Sequence, residues 1–381
     1  MTSMLSSWRG LGAFWLAVLL VVGGSAAVLQ VLGPPPQLRH GPAAVAQGPA
    51  AVVPGPAAVT SGPAAVAPPQ VAAVPPAVAL APVPPPLVLA QRETPPPDRP
   101  GRDTPGAIAD PDPALLEPTP GAPSDMLPRI AEDGRRPMQV YAAGFDRSSR
   151  RPRIGILLAG IGLNEDDSLK AIHDLPGGIT LAISPYGTKV TKLLAAARVA
   201  GDEYLLSIPM EPQGFPANDP GPRALMTNLS SAENLDRLRW LLAHFSGYVG
   251  VTNALGGLRG ERFAGVPGQM DPILAEAAHR GLLYVDARQA GSGGEAIQHR
   301  VWSRDVDLVL DEPVDDVDVK LARLEEIAHD KGDALGLAGA PSPVTVQHIA
   351  AWAAGLLDRG LVLAPVSALV RPPSDVATSA Q

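Results

Sequence analysis

Two hydrophobic patterns divide the chain. Near the amino terminus, Leu11 to Leu29 is apolar except for Ser25, and the run continues through Val31 and Leu32. A helix needs about 20 consecutive apolar residues to cross a bilayer, so residues 11–32 read as a transmembrane anchor or an uncleaved signal. Beyond Arg153 the pattern changes to short β-branched or leucine-rich runs. These are Ile154 to Leu158, Ile179 to Ile183, Tyr204 to Ile208, Val249 to Thr252, Leu282 to Val285, Val306 to Leu310, Ala334 to Leu337 and Leu361 to Leu363. Each has the length of a buried strand. Between them, apolar residues recur at helical spacing: Leu235, Leu238, Leu242 and Phe245; Ile273, Ala277 and Ala278; Leu321, Leu324, Ile327 and Ala328. Strands alternating with one-sided helices give a mostly parallel sheet covered by helices. The pattern predicts an α/β fold closed, or nearly closed, into a (β/α) barrel. An open doubly wound sheet has the same periodicity and stays as the alternative, because strand order is not written in it.

Composition separates the two patterns. Of the 44 prolines, 28 lie between Pro34 and Pro137, and Gly-Pro-Ala-Ala-Val starts at Gly41, Gly48, Gly55 and Gly62. A proline in every repeat breaks a helix and favours extended polyproline II, so this stretch reads as a disordered, semi-rigid spacer. The expected organisation is a cytoplasmic N-terminus over 1–10, the anchor over 11–32, the Pro/Ala-rich spacer over 33–140, a globular domain over 141–371 and a disordered tail over 372–381. Arg9 before the apolar run places everything after Gly33 outside the cytoplasm by the positive-inside rule. The small residues from Gly24 to Ala27 also admit a cleaved signal and a free periplasmic form. A net charge of −8 argues against nucleic acid as a partner, and the absence of cysteine excludes disulfides, thiolate metal sites and cysteine nucleophiles.

In either α/β architecture the site lies beyond the carboxyl ends of the strands. The residues there are Ala159 to Gly162, then Ser184, Pro185 and Tyr186, then Pro209 to Pro212 with Glu211. Asn253 and Ala254, Asp286 and Arg288, Asp311 and Glu312, and Gly339 and Ala340 follow the later strands. None of the seven histidines follows a predicted strand, and there is no His-Glu-x-x-His spacing for zinc. Gly160 and Gly162 lack the third glycine of a nucleotide-binding turn, because Glu165 stands in its place; Asn164 reads instead as a helix cap. The acids from Asp305 to Asp318 do not have the spacing of a calcium loop.

Short stretches in one order resemble the divergent polysaccharide deacetylases, bacterial envelope proteins related to metal-dependent carbohydrate esterases. They include Leu175-Pro176-Gly177, Thr180 to Ile183 with Pro185-Tyr186, Gly201-Asp202-Glu203 leading to Pro209-Met210-Glu211-Pro212, and Pro220-Gly221-Pro222. Gly250 to Asn253, Asp286-Ala287-Arg288, Leu310-Asp311 and Pro341 to Thr345 continue the match. The resemblance implies a distorted (β/α) barrel of the polysaccharide deacetylase type, an inner-membrane or periplasmic location, carbohydrate metabolism and a zinc or similar divalent ion. This chain departs at the positions the resemblance assigns to that ion and to proton transfer. Ala159-Gly160 replaces two aspartates, Ala254 replaces a histidine in Thr252-Asn253-Ala254-Leu255-Gly256-Gly257, and Ala340 replaces another in Ala338-Gly339-Ala340-Pro341. The expectation is a barrel without metal ligands that has lost hydrolysis and acts as a glycan-binding or docking module for envelope glycan or an envelope protein. Tyr186, Glu211, Asn253, Asp286 and Arg288 are its expected ligand-binding residues. The alternative is an active deacetylase or hydrolase using Glu211 and Asp286 as its catalytic carboxylates.

Overall fold

The computed structural model describes residues 105–266, 268–289, 301–310 and 317–373. The segment 11–32, the Gly-Pro-Ala-Ala-Val repeats and the acids Asp311, Glu312, Asp315 and Asp316 lie outside the described residues. Among the described residues, no helix is long and apolar enough to cross a membrane.

Order begins earlier than composition predicts. Strands β1 (Leu116–Thr119) and β2 (Ala122–Pro128) form an antiparallel hairpin inside the range assigned to the spacer, and α1 (Pro137–Val140) follows. The prolines there occupy positions that tolerate them. Pro113 and Pro137 open a 3-10 turn and α1, where no amide is needed, while Pro118 and Pro128 sit in a two-stranded sheet with free edges. Leu115 and Leu127 are fully buried, and the Arg280 guanidinium holds the hairpin by donating to the Pro128 carbonyl at 2.8 Å and to Glu117 at 2.9 Å.

The barrel is built on β3 (Arg153–Ile161), buried from Ile154 onward because both faces are covered. The strands that follow are β4 (Thr180–Ile183), β5 (Tyr204–Ser207), β6 (Gly250–Thr252), β7 (Leu283–Gln289), β8 (Ser303–Val306), β9 (Leu308–Val309), β10 (Asp333–Ala338) and β11 (Val362–Leu363). All pair in parallel in the order β8-β7-β6-β5-β4-β3-β10-β9, with β11 on the first residues of β3. Side chains alternate as period two requires. Leu157, Ala182, Leu205, Val285 and Leu337 share the inner cluster, while Ile156, Leu158, Leu206, Val251 and Tyr284 pack outward on the helices.

The outer layer consists of α2 (Glu165–Asp174), α3 (Val190–Ala200), α4 (Ser231–Leu242), α5 (Glu261–Ala264), α6 (Met270–His279), α7 (Val317–Lys331) and α8 (Pro343–Ala354). Asn164 caps α2 by accepting from the Asp167 amide at 3.1 Å, with three acids in the first turn near the positive end of the helix. The described histidines are in or beside helices, away from the strand ends.

The predicted strand from Val306 to Leu310 is two strands. Ser303–Val306 pairs with β7 and Leu308–Val309 with β10, so the two edges of the sheet are consecutive pieces of chain joined at Asp307. The Asp307 amide donates to the Leu335 carbonyl at 2.9 Å. Its carboxylate accepts from Arg304 at 2.5 Å, from the Leu335 amide at 2.9 Å and from Lys331 at 3.2 Å. This one residue bonds edge strand β8 and strand β10, which carries the other edge, and the barrel is nearly closed there. The open-sheet alternative does not hold.

Candidate functional site

Beyond β5 the chain is pinned before it reaches Glu211. The Ile208 amide donates to the Thr252 carbonyl, the Glu211 amide to Leu225, and the Leu225 amide to Pro209. The Glu211 carboxylate, with a side chain only 4 % exposed, accepts from the Thr227 amide at 2.7 Å and hydroxyl at 2.6 Å, and pairs with Arg262 at 2.9 Å. Burial pushes this carboxyl up, but the Thr227 donors and the Arg262 charge outweigh burial and hold it below its ordinary range.

Asn253 follows β6 and is consumed internally. Its Nδ2 donates to the Arg259 carbonyl at 2.8 Å and to Asp286 Oδ1 at 3.1 Å, while its Oδ1 accepts from the Ala287 amide at 2.7 Å. Both amide hydrogens are therefore in use. Asp286 lies on the same side of β7 as Tyr284, whose ring is in the outer cluster, whereas Leu283, Val285 and Ala287 are in the inner one. Arg288 folds back onto it. Its amide donates to Asp286 Oδ1 at 2.9 Å, its Nε reaches both oxygens at 3.1 Å, and its Nη2 reaches Oδ2 at 2.6 Å. Arg288 Nη1 donates to the Ala264 carbonyl at 3.3 Å.

The loop from Asn253 through α5 joins these groups. It supplies the Arg259 carbonyl to Asn253, the Arg262 guanidinium to Glu211, the Phe263 amide to the Glu211 carbonyl at 3.0 Å, and the Ala264 carbonyl to Arg288. The sequence argument missed Arg262 and Thr227; the clustered charges of Arg259, Glu261 and Arg262 just after β6 were the available signal. Glu211 and Asp286 are brought to one loop, but each faces its own arginine. Strand β6 stands between β5 and β7, so the strand axes carrying them are ~10 Å apart.

Gly260 sets the course of this loop. Its φ is 60°, and a Cβ there would lie 2.4 Å from Met210 Cβ. Gly260→Ala is expected to cost about 2 kcal/mol or more, through the left-handed backbone and a clash close to main chain. A urea midpoint equal to that of the wild type would show that the loop adapts instead.

Tyr186 is half-buried, with its ring against Gly221, where an added Cβ would fall 2.6 Å from Cζ. Burial raises its phenol, opposed by the Arg223 amide. One ring face is thus covered by the 220–222 turn. Three of the four substituted motif positions are equally close-packed, and the fourth, Ala340, is exposed. Ala159 and Ala254 are fully buried, and Gly160, at φ 74°, meets the Gly339 carbonyl 3.0 Å from an ideal Cβ. A side chain at 160 would need the β3 and β10 ends to separate.

Among the described residues, no group of three or more histidine, cysteine, aspartate or glutamate side chains could hold a metal ion. The described donors do not fit the zinc that the resemblance implies, since the two strand-end carboxylates are already engaged by arginines.

The comparisons agree with this architecture. The chain is similar to an uncharacterized protein, ATU2773, of Agrobacterium tumefaciens C58, with 34% sequence identity and a TM-score of 0.59 over 65% of this chain and 100% of that one. No curated protein matches. The model of the divergent polysaccharide deacetylases matches residues 156–370, which run from within β3 to the chain just after β11 and contain every later strand of the barrel. The chain belongs to the divergent polysaccharide deacetylase family.

Proposed function

We propose that this chain is an envelope protein held at the inner membrane by residues 11–32, with its barrel in the periplasm. In this reading the barrel mouth recognises envelope polysaccharide without hydrolysing it. The observation that supports it is the pairing of both described candidate carboxylates with arginines, Glu211 with Arg262 at 2.9 Å and Asp286 with Arg288 at 2.6 Å. Glycoside hydrolysis needs one carboxyl protonated and one free to act as base or nucleophile, and metal-assisted hydrolysis needs carboxylates or imidazoles free to ligate. Glu211 is held below its ordinary range, which is the wrong direction for a general acid.

Arg262 is 53 % exposed beyond its bond to Glu211, and a guanidinium fixed at one edge presents its other donors to hydroxyl or carboxylate oxygens of a sugar. Family membership favours a glycan over other polar ligands. The test is calorimetric titration of the purified protein with acetylated and deacetylated glycan oligomers, alongside acetate release with and without zinc. Binding without acetate release, weakened about tenfold by Arg262→Ala, is expected. Acetate release that a chelator abolishes would overturn the reading, and absence of both binding and release would shift the occupant to an envelope protein. Deleting residues 1–32 is expected to move the protein from the membrane to the soluble fraction; an unchanged distribution would remove the anchor from the proposal.

A further inference from the structure

The opposite end of the barrel holds two carboxyls that the mouth does not use. Asp202 and Glu203 immediately precede β5 and are 2% and 0% exposed. Glu203 fastens three separate pieces of chain. Its Oε1 accepts from the Thr180 hydroxyl of β4 at 3.0 Å and the Ser367 amide of the C-terminal turn at 2.9 Å, and its Oε2 accepts from the Ala143 amide at 3.0 Å. Thr180 in turn accepts from the Val366 amide at 2.9 Å. Every contact treats Glu203 as an acceptor, the arrangement of an ionised carboxylate.

Asp202 differs. It accepts from the Gly178 amide, and its Oδ1 is buried with no partner. An orphan oxygen of this kind suits the protonated form, whose O–H does not carry a buried charge. Against the same chain segments lies a cavity of about 420 Å³, lined among others by Gly106, Ala143, Phe145, Gly178, Gly201 and Leu363. The segment from Tyr141 to Asp146 thus lies between the Glu203 clasp and an open space.

We propose that Asp202 and Glu203 form a proton-operated latch at the base of the barrel, holding the 141–146 segment and the 366–368 turn while Asp202 carries a proton and loosening both when it is lost. The cause is repulsion between adjacent carboxylates in a desolvated site, where two neighbouring charges cannot both be accommodated cheaply. Burial, and then the Glu203 charge, push Asp202 up to about 7, and burial likewise raises Glu203 against the donors from Ser367, Ala143 and Thr180. Three arginines of the surrounding elements are engaged elsewhere. Arg198 of α3 pairs with Asp110 and the Tyr204 hydroxyl, Arg151 donates to the Leu357 carbonyl, and Arg153 lies over the Phe145 ring and donates to the Ala368 and Arg147 carbonyls. Asp146 is bonded by Ser148, while β4 and the 366–368 turn present the uncharged Thr180 and Ser367.

The sign follows from linkage. A carboxyl raised in the folded state binds its proton more tightly there than in the unfolded chain. Its stabilisation is therefore complete below the ordinary carboxylate range and is lost as pH rises through about 7. The experiment is amide hydrogen exchange of the full chain between about pH 5.5 and about pH 8.5, corrected for the intrinsic pH dependence of exchange. Protection at Ala143 and Ser367 is expected to fall by about tenfold or more across that window in the wild type, and to stay level in Asp202→Asn. A level wild-type profile, or an equal fall in the variant, overturns the latch. Should Asp202→Asn not fold, the carbon-13 shift of the wild-type Asp202 carboxyl decides: titration near neutrality supports the proposal, and titration in the ordinary carboxylate range overturns it.

Discussion

Asp307→Ala is expected to lower the stability of the barrel by about 3 kcal/mol, the cost of taking one acceptor from a buried arginine and the side-chain acceptor from a buried amide. The Asp307 side chain is 4% exposed and its main partner Arg304 is 7% exposed. Arg304 keeps a second contact to Asp333 at 2.8 Å, which holds the loss below that of a fully orphaned charge. The Leu335 amide, in a fully buried residue of β10, has no such alternative described and loses its 2.9 Å bond. Lys331→Ala is the control. Its ammonium reaches Asp307 at 3.2 Å from a side chain 57% exposed, so its removal should cost less than about 0.5 kcal/mol. Urea midpoints at fixed pH compare the two directly. If Asp307→Ala is no worse than Lys331→Ala, the residue between β8 and β9 does not close the barrel.

The same residue marks where periodicity stops being informative. Val306-Asp307-Leu308-Val309-Leu310 has the look of one half-buried strand, because an aspartate flanked by apolar residues normally faces water. Here it is buried by partners from β10 and from the end of α7, which local pattern cannot reveal. The other runs were legible for the converse reason. Strands in the middle of a parallel sheet are covered on both faces, so Ile154 to Leu158 and Tyr204 to Ile208 are apolar almost without interruption. The hairpin was hidden by its prolines, whose tolerance depends on whether a given amide faces a partner strand. At the site, Glu211 was legible as an acid beyond a strand, whereas Asp286, expected just after its strand, lies inside β7. Their engagement was not legible, since Arg262 lies in a loop that returns to Glu211 only after β6 has been laid beside β5.

That engagement makes a second large effect. Asp286→Ala is expected to cost about 3 kcal/mol, because it strands Arg288, whose side chain is only 13% exposed, and leaves Asn253 Nδ2 and the Arg288 amide each short of an acceptor. Replacing both members, Asp286→Ala with Arg288→Met, removes the buried charge together with its partner and should recover a substantial part of that loss. A catalytic carboxylate behaves differently: its removal abolishes turnover and usually leaves stability unchanged or improved, since functional groups are often held in unfavourable surroundings. The double-mutant cycle therefore separates a structural pair from a reactive one without a known substrate. A coupling energy of about 1.5 kcal/mol or more between positions 286 and 288 would mean that Asp286 is spent on holding the β7 end against the 253–266 loop. A coupling near zero, with Asp286→Ala as stable as the wild type, would leave the carboxylate free for substrate and return the hydrolytic mechanism to consideration.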